Sequence, residues 1–164
     1  MSKKQYKVML VSGGFDPVHK GHLEMIEMAR KTADEVWVIL NNDDWLRNKK
    51  GQAFMKEEER QYIMSQVKGV TKTFICNPRI ASDKSVCDGI YSAIQEYKRS
   101  YEGNMSMAFG NGGDRVKGNI PEEEYCNTMG VDFVFGLGKK VQSSSWLLES
   151  LIIQLYNYLY ERTM

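Results

Sequence analysis

The sequence alternates between short apolar segments and longer segments with helical spacing, and this alternation constrains the fold more than any other feature. Apolar runs of the kind found in buried strands predict strands at 6–11, 36–40, 71–76, 105–110 and 131–135. Apolar residues that recur every three or four positions predict helices at 19–31, 55–67, 85–99, 121–129 and 143–162. Because parallel strands need a crossover connection between them, the alternation predicts one α/β domain over residues 1–164.

Polar and glycine-rich segments collect where the predicted strands end. The expected architecture is a Rossmann-like, doubly wound, five-stranded parallel sheet with helices on both faces, and such sheets bind ligands at the carboxyl ends of their strands. Four segments follow predicted strands and carry unusual residues: GGFDPVHKGH at 13–22, NNDDWLRNKKG at 41–51, GNGGDR at 110–115 and GLGKKVQSSS at 136–145. We therefore expect one ligand site at this edge of the sheet.

Composition excludes several classes of protein. The chain has 22 basic and 21 acidic side chains, so a net charge of +1 provides no general attraction to nucleic acid or to a membrane surface. Three cysteines at wide spacing predict free thiols rather than a disulfide framework. No apolar run approaches the roughly 18 residues that span a bilayer, and none has the pattern of a signal peptide. We expect a cytoplasmic protein that binds neither nucleic acid nor membrane.

The two histidines of the chain, His19 and His22, lie three residues apart at the start of a predicted helix. This spacing places both rings on one helix face, and the free amides of a helix N-terminus attract anions. The pair therefore predicts a phosphate site, although two unrelated surface histidines would give the same spacing. Zinc binding is disfavoured because no third or fourth ligand has suitable spacing.

Three further groups favour binding of phosphate or polyol, each with a plainer alternative. The hydroxyls of Ser143–Ser145 and nearby free amides form a polyanion site, but N-capping of a helix also explains serines there. Lys49 and Lys50, with Arg47, follow the second strand in what is expected to be a loop, where charge can be merely solvated. Asp114 and Arg115 could bind acceptor hydroxyls and a phosphate, or could form only a turn.

These motifs resemble those of the cytidylyltransferase-like nucleotidyltransferases, a superfamily marked by a (T/H)xGH signature. GGFDPVHKGH resembles the first signature, KEEER at 56–60 the acidic segment that ends in arginine, and VQSSSWLL at 141–148 the signature that opens the last helix. GNGGDR is similar to the segment after strand four in heptose-phosphate adenylyltransferases and glycerol-3-phosphate cytidylyltransferases. The resemblance covers residues 6 to about 150, in family order.

The resemblance implies roles for particular residues. His19, His22 and Lys50 would be catalytic, contacting phosphates and stabilising charge at the transferring group. Nucleotide binding would fall to Gly13, Gly14, Phe15, Asp16, Gly21, Gly113, Asp114, Ser143, Ser144 and Ser145. Substrate binding would fall to Asp43, Lys49, Arg60 and Arg115. Helical spacing gives Arg60 an alternative, an ion pair with a glutamate one turn away.

The implied reaction transfers a nucleoside monophosphate from ATP or CTP to a small phosphorylated sugar or polyol and releases pyrophosphate. Mg²⁺ would accompany the nucleoside triphosphate and keep water ligands, so no protein metal ligand is expected. The base specificity stays open, because the Arg-Thr pair that cytidylyltransferases carry before the serine signature is missing. A pantetheine-phosphate adenylyltransferase and a non-catalytic nucleotide-sensing module are the alternatives.

The last predicted helix carries apolar residues on two faces. Leu148, Leu151, Ile152, Leu155 and Leu159 recur at helical spacing and are expected to pack on the core. A second face carries Trp146, Ile153, Tyr156 and Tyr160. Because a helix that is apolar on two sides needs a second partner, this face predicts a homodimer.

Overall fold

A computed structural model describes residues 4–79, 83, 85–112, 120–138 and 141–163. Its sheet has five parallel strands: β1 (Tyr6–Gly13), β2 (Ala33–Asn41), β3 (Val70–Cys76), β4 (Met107–Asn111) and β5 (Asp132–Phe135). The strand order is β3-β2-β1-β4-β5. The predicted doubly wound parallel sheet is therefore confirmed, and the winding direction reverses between β1 and β4.

In the described ranges, six helices connect or follow these strands: α1 (Lys20–Thr32), α2 (Asp43–Lys50), α3 (Glu57–Ser65), α4 (Cys87–Ser100), α5 (Pro121–Met129) and α6 (Ser144–Thr163). Alternate residues of the strands point to opposite faces, as in β1, where Val8 and Leu10 enter one core and Met9 and Val11 the other. The first core packs against α4 and α5, and the second against α1 and α3. Both faces of the sheet are thus covered, as the alternation predicts.

The segment 43–50, expected as a loop, is instead the helix α2. The side chain of Asn42 caps it by accepting a hydrogen bond from the backbone N–H of Trp45 at 2.9 Å. Acidic residues occupy its first turn and basic residues its last, which suits the helix dipole. Gly51 ends it with a left-handed φ of 87°. These capping signals were present in the sequence, but the single buried side chain, Leu46, gives too little apolar periodicity to reveal a helix.

The expected core stripe of α6 is wrong. Leu151, Ile152, Leu155 and Leu159 are 43 to 65% exposed, and every residue from Glu149 to Arg162 is exposed. The physical reason is that other helices already cover both faces of the sheet, so the apolar stripe of α6 has no core surface left to meet. None of the helices in the described part of the chain combines the length and apolarity that crossing a bilayer requires.

The carboxyl ends of β1 and β4 lie side by side, with Val11 opposite Gly110. The segments that follow these strands therefore meet at the point where the winding reverses, which is where such sheets bind ligands. Several predicted site residues, namely Gly113, Asp114 and Arg115, lie outside the described residues, as do Lys139 and Lys140.

Candidate active site

The two histidines form a stacked pair at the start of α1. Their ring centroids are 3.7 Å apart and their planes differ by 18°. His19 is the N-cap of α1, and its backbone N–H donates to Nδ1 of His22 at 3.3 Å. The backbone N–H of His22 donates in turn to the carbonyl oxygen of His19 at 2.9 Å. The prediction that both rings share one helix face is confirmed.

Both imidazoles are held in the neutral form. Burial is the main cause that lowers the pKa of His22 to about 3, and the charges of His19 and Lys50 contribute to the same shift. The pKa of His19 is also lowered, first by burial and then by Lys50. Since Nδ1 of His22 accepts a backbone hydrogen bond, the proton of its neutral ring resides on Nε2. His22 is therefore an N–H donor at neutral pH rather than a cation.

Gly21 makes room for this arrangement. A Cβ atom at Gly21 would lie 3.2 Å from Cε1 and Nδ1 of His19 and 3.5 Å from Cγ2 of Val141. The glycine between the two histidines thus lets the ring of His19 fold back over α1. The same geometry shows that the segment before α6 lies directly against the start of α1.

The serines before and within α6 meet the histidine segment. The hydroxyl of Ser144 donates to the carbonyl oxygen of Pro17 at 2.9 Å, two residues before His19. The hydroxyl of Ser143 accepts from the backbone N–H of Trp146 at 3.1 Å, so the capping interaction weighed from the sequence is present. Ser145 is exposed. Imidazoles from near the amino end of the chain and hydroxyls from near its other end therefore share one edge of the sheet.

Lys50, rather than Lys49, lies near the histidine pair. Its charge contributes to the lowered pKa of both imidazoles. Partial burial lowers the pKa of Lys50 itself, and the nearby Asp16 carboxylate opposes that shift. The ammonium of Lys49 instead lies 4.5 Å from the ring centroid of Trp45. The last turn of α2 thus supplies a cation to the same edge.

Asp16 is buried and belongs to the supporting frame. It is 1% exposed, and its two carboxylate oxygens accept the backbone N–H groups of Phe54 and Met55, each at 2.7 Å. Phe15 is also buried, and its ring lies 4.6 Å from that of His22. Both residues shape the site by fixing neighbours, because neither exposes its side chain to a ligand.

Arg60 ties three segments of the site together. Its guanidinium, which has no exposed surface, donates to the carbonyl oxygens of Met55, Gly14 and Asn41 at 2.7 to 3.0 Å. It also pairs with Asp43 at 2.7 Å. One expectation needs correction: the acidic partner of Arg60 is Asp43 of α2 rather than a glutamate one turn away. The substrate role expected of Arg60 and Asp43 stays a prediction. The signal in the sequence was that Arg60 precedes the buried Met64 by four residues, on the core-facing side of α3.

The two glycines that open the first motif allow close packing. A Cβ atom at Gly14 would lie 2.9 Å from Cδ2 of Leu46, and one at Gly13 would lie 3.2 Å from the ring of Phe15. The exit of β1 therefore stays narrow, which lets α2 approach the histidine segment closely.

Comparison with known proteins places this arrangement in a family. The family model described as Cytidylyltransferase-like matches residues 10–103. The chain belongs to this cytidylyltransferase-like family. Its curated relatives include the Bifunctional protein HldE of Desulfatibacillum aliphaticivorans, 38% identical over 39% of this chain and 14% of the relative. The FAD synthase of Methanopyrus kandleri is 34% identical over 44% of this chain and 51% of the relative. The chain thus matches about half the length of the FAD synthase and 14% of the length of the HldE protein.

Solved structures show the same fold. The lipopolysaccharide core biosynthesis protein from Thermoplasma volcanium GSS1 matches with a TM-score of 0.57 and 19% identity, over 80% of this chain and 94% of that one. A bifunctional NMN adenylyltransferase/ADP ribose pyrophosphatase from Francisella tularensis, complexed with AMP and a manganese ion, also has a TM-score of 0.57 and 19% identity. That match covers 85% of this chain and 39% of the other. At such identities the likeness concerns the fold.

At this edge of the sheet, sequence reasoning missed Asn111. This residue ends β4, next to β1 across the sheet, and its backbone oxygen accepts from Leu137 at 3.1 Å. Its side-chain amide nitrogen is buried and has no hydrogen-bond partner in the part of the chain that the structure describes. A buried donor without a partner is costly, so this amide is available to a bound oxygen atom. Only its place in a glycine-rich strand exit could have pointed to it.

Proposed function

We propose that this protein is a nucleotidyltransferase that transfers a nucleoside monophosphate from ATP or CTP to a small phosphorylated sugar or polyol. The observation that carries the proposal is the convergence of the stacked pair, His19 and His22, with the start of α6 and with Lys50. These groups supply N–H donors, hydroxyls and one positive charge around a single edge, which is the chemistry that a polyphosphate requires.

The proposed chemistry needs no strong general base. The attacking atom is an oxygen of the acceptor's phosphate, which is already anionic at neutral pH because its second pKa is about 6. This oxygen forms a bond to the α-phosphorus while the bond to the oxygen that bridges the α- and β-phosphates breaks. Pyrophosphate leaves with the electron pair. Two imidazoles that are neutral in the free protein suit this reaction, since their task is to donate hydrogen bonds rather than to accept a proton.

Each group at the edge has a proposed task. The Nε2–H of His22 and a ring N–H of His19, whose buried Nδ1 has no hydrogen-bond partner among the described residues, donate to oxygens of the transferring phosphate, where negative charge grows. Lys50 offsets charge on the leaving phosphates. Ser143 and Ser144 hold the start of α6 so that its amides and Ser145 can bind the outer phosphates. The amide of Asn111 donates to an oxygen of the nucleotide or the acceptor.

The carboxylates of Asp16 and Asp43 are engaged within the protein, so a magnesium ion would arrive with the nucleotide. Both oxygens of Asp16 accept backbone N–H groups, and Asp43 is paired with Arg60. Among the described residues, no group of three or more His, Cys, Asp and Glu side chains could hold a metal ion. Mg²⁺ coordinated by phosphate oxygens and water would supply additional neutralisation of the leaving group. The protein's own part is to position the phosphates that hold the ion.

The names of the relatives favour ATP over CTP as the donor. FAD synthase and NMN adenylyltransferase both denote enzymes of adenine nucleotides. This observation also supports a second acceptor class, a phosphate that carries a flavin or nicotinamide group rather than a polyol. Both acceptor classes present the same phosphate nucleophile, so the proposed roles of the residues are the same for each.

A pyrophosphate-release panel tests the proposal. Four nucleoside triphosphates with Mg²⁺ would be combined with glycerol 3-phosphate, a heptose 1-phosphate, flavin mononucleotide, nicotinamide mononucleotide and phosphopantetheine. We expect acceptor-dependent release with one donor and one acceptor class, lost in His22→Ala. Nucleotide binding without release for any acceptor would favour a sensing module, and strict preference for phosphopantetheine would favour a pantetheine-phosphate adenylyltransferase.

A further inference from the structure

The helix α6 extends beyond the rest of the fold. It has 20 residues, so it is about 30 Å long. Two hydrogen bonds within the described part of the chain fix its first turn: Ser143 caps it, and Ser144 binds the carbonyl oxygen of Pro17. From Glu149 to Arg162 every residue is exposed, although α1, α3, α4 and α5 bury the two faces of the sheet. Because its residues beyond the first turn bury little surface, this part of the helix gains little stability from packing on the protomer.

The residues of α6 are arranged as in a helix of a bundle. Ser150, Gln154, Asn157 and Glu161 follow one another at intervals of four, three and four residues, which gives a narrow polar stripe. Most of the remaining circumference is apolar, with ten large side chains that are 36 to 67% exposed. Opposite the polar stripe runs a seam at the same intervals, formed by Leu148, Ile152, Leu155 and Leu159. This is the spacing at which two helices interlock along a common seam.

The apolar area exposed on α6 is large enough for an interface with a second helix. With about 200 Å² of surface for each large side chain, ten that are roughly half exposed leave about 1,000 Å² uncovered around α6 of each copy, and a helix on the seam would cover the part of this area on and beside the seam. A standard interface buries about 800 Å² on each partner. The seam can pair with itself across a two-fold axis, so a second copy presents a matching surface without any further partner.

Charge argues against a membrane surface as the occupant. Helices that lie on membranes carry a lysine- and arginine-rich polar face. The sequence of α6 contains two glutamates, Glu149 and Glu161, and one basic residue, Arg162. Its polar stripe bears only the acidic Glu161. Such a stripe suits water on the outside of a helix pair and would be repelled by anionic lipid.

We propose that α6 binds α6 of a second copy along the seam Leu148, Ile152, Leu155 and Leu159, forming a homodimer. The pairing orders α6 over its whole length. Because the first turn of α6 contacts the histidine segment through Ser144, the same helix joins the dimer interface to the site edge of each copy.

Sedimentation velocity of the full chain from about 1 to 50 μM tests the pairing. The seam variant Ile152→Glu/Leu155→Glu places charge at exposed positions, so each protomer keeps its core and its far-UV circular dichroism. The matched control, Gln154→Glu/Asn157→Glu, adds the same charge to the polar stripe of the same helix. We expect a wild-type dimer, an unchanged control, and a dissociation constant that rises at least about 100-fold in the seam variant, the scale for losing central interface residues.

Three outcomes would overturn the proposal. One is a wild-type monomer at 50 μM, and another is a dimer that the seam variant retains. The third is co-flotation of a monomeric wild type with vesicles of phosphatidylcholine and phosphatidylserine, abolished in the seam variant, which would assign the face to lipid. Pyrophosphate release is not a readout in this experiment, so its result is independent of the proposed reaction.

Discussion

The helices α1 and α6 begin at the same edge of the sheet and carry apolar residues at the same helical spacing, yet their surroundings differ. In α1, Met25, Ile26 and Ala29 are buried against the sheet, so the helix holds the histidine pair rigidly. In α6, the corresponding side chains are exposed beyond the first turn. Helical periodicity therefore specifies which face of a helix is apolar, but not what covers that face.

A matched pair of isoleucine truncations tests this comparison with the largest expected effect. Ile26 is 1% exposed and Ile152 is 65% exposed. Ile26→Ala should lower the free energy of unfolding by about 2–5 kcal/mol through loss of packing and a residual cavity. Ile152→Ala should change it by less than about 0.5 kcal/mol at a protein concentration where the chain is monomeric. Urea denaturation followed by circular dichroism measures both, and equal losses would show that α6 packs on the domain.

The helix α1 also differs from α6 in its proposed chemistry, which depends on His22 at the start of α1. His22→Ala should lower turnover by roughly 10²- to 10³-fold, the scale for removing one donor to the transition state. The control is Leu23→Ala, since Leu23 is the next residue of α1 and is 46% exposed. Steady-state pyrophosphate release measures the effect. If His22→Ala and His19→Ala both leave turnover unchanged, the roles proposed for the two imidazoles are wrong.

The fold was predictable because apolar periodicity indicates which residues are buried. Short apolar runs that alternate with helical patterns are typical of a parallel sheet covered by helices. All five strands and the five predicted helices lie within a few residues of their predicted positions. The prediction that α6 packs on the core failed because its pattern shows which faces of the helix are apolar, but not whether the domain covers them. The helix α2 was missed because its stability comes from Asn42, Gly51 and the charges of its two ends.

In the candidate site, the sequence predicted which segments meet at the edge of the sheet. It did not predict which side chains are buried in the supporting frame. Parallel topology requires His19 and Ser144 to meet at one edge, and they do. The sequence could not show that Arg60 and Asp16 are buried, because a charged residue looks the same whether it binds a ligand or a backbone. Burial of Arg60 depends on carbonyl groups from three segments, which no local pattern specifies.

The pH dependence of stability should reveal how tightly α1 holds His22. Because the pKa of His22 is lowered to about 3 in the native state, the unfolded chain takes up a proton below about pH 6.5 that the native state does not. The contribution of the neutral His22 ring to the free energy of unfolding is therefore complete above pH 6.5 and is lost as the pH falls toward 3. Between pH 7 and 5 we expect a loss of about 2 kcal/mol. Chemical denaturation across this range should give a flatter profile for His22→Asn, and an identical profile would contradict burial of a neutral ring.

The smallest predicted effect concerns the only described hydrogen bond between a side chain of α6 and the histidine segment. Ser144→Ala removes the donor to Pro17, so the free energy of unfolding should fall by about 1 kcal/mol, the typical net value of such a bond. Ser144→Thr keeps the hydroxyl, and Ser150→Ala removes an exposed serine from the same helix as a control. Because the fixed start of α6 is proposed to hold the outer phosphates, Ser144→Ala should also raise the KM for the nucleotide several-fold while kcat changes less. A change confined to kcat would mean that the start of α6 acts on the transferring phosphate itself. The outer phosphates could then no longer be assigned to α6 and the transferring phosphate to α1 alone.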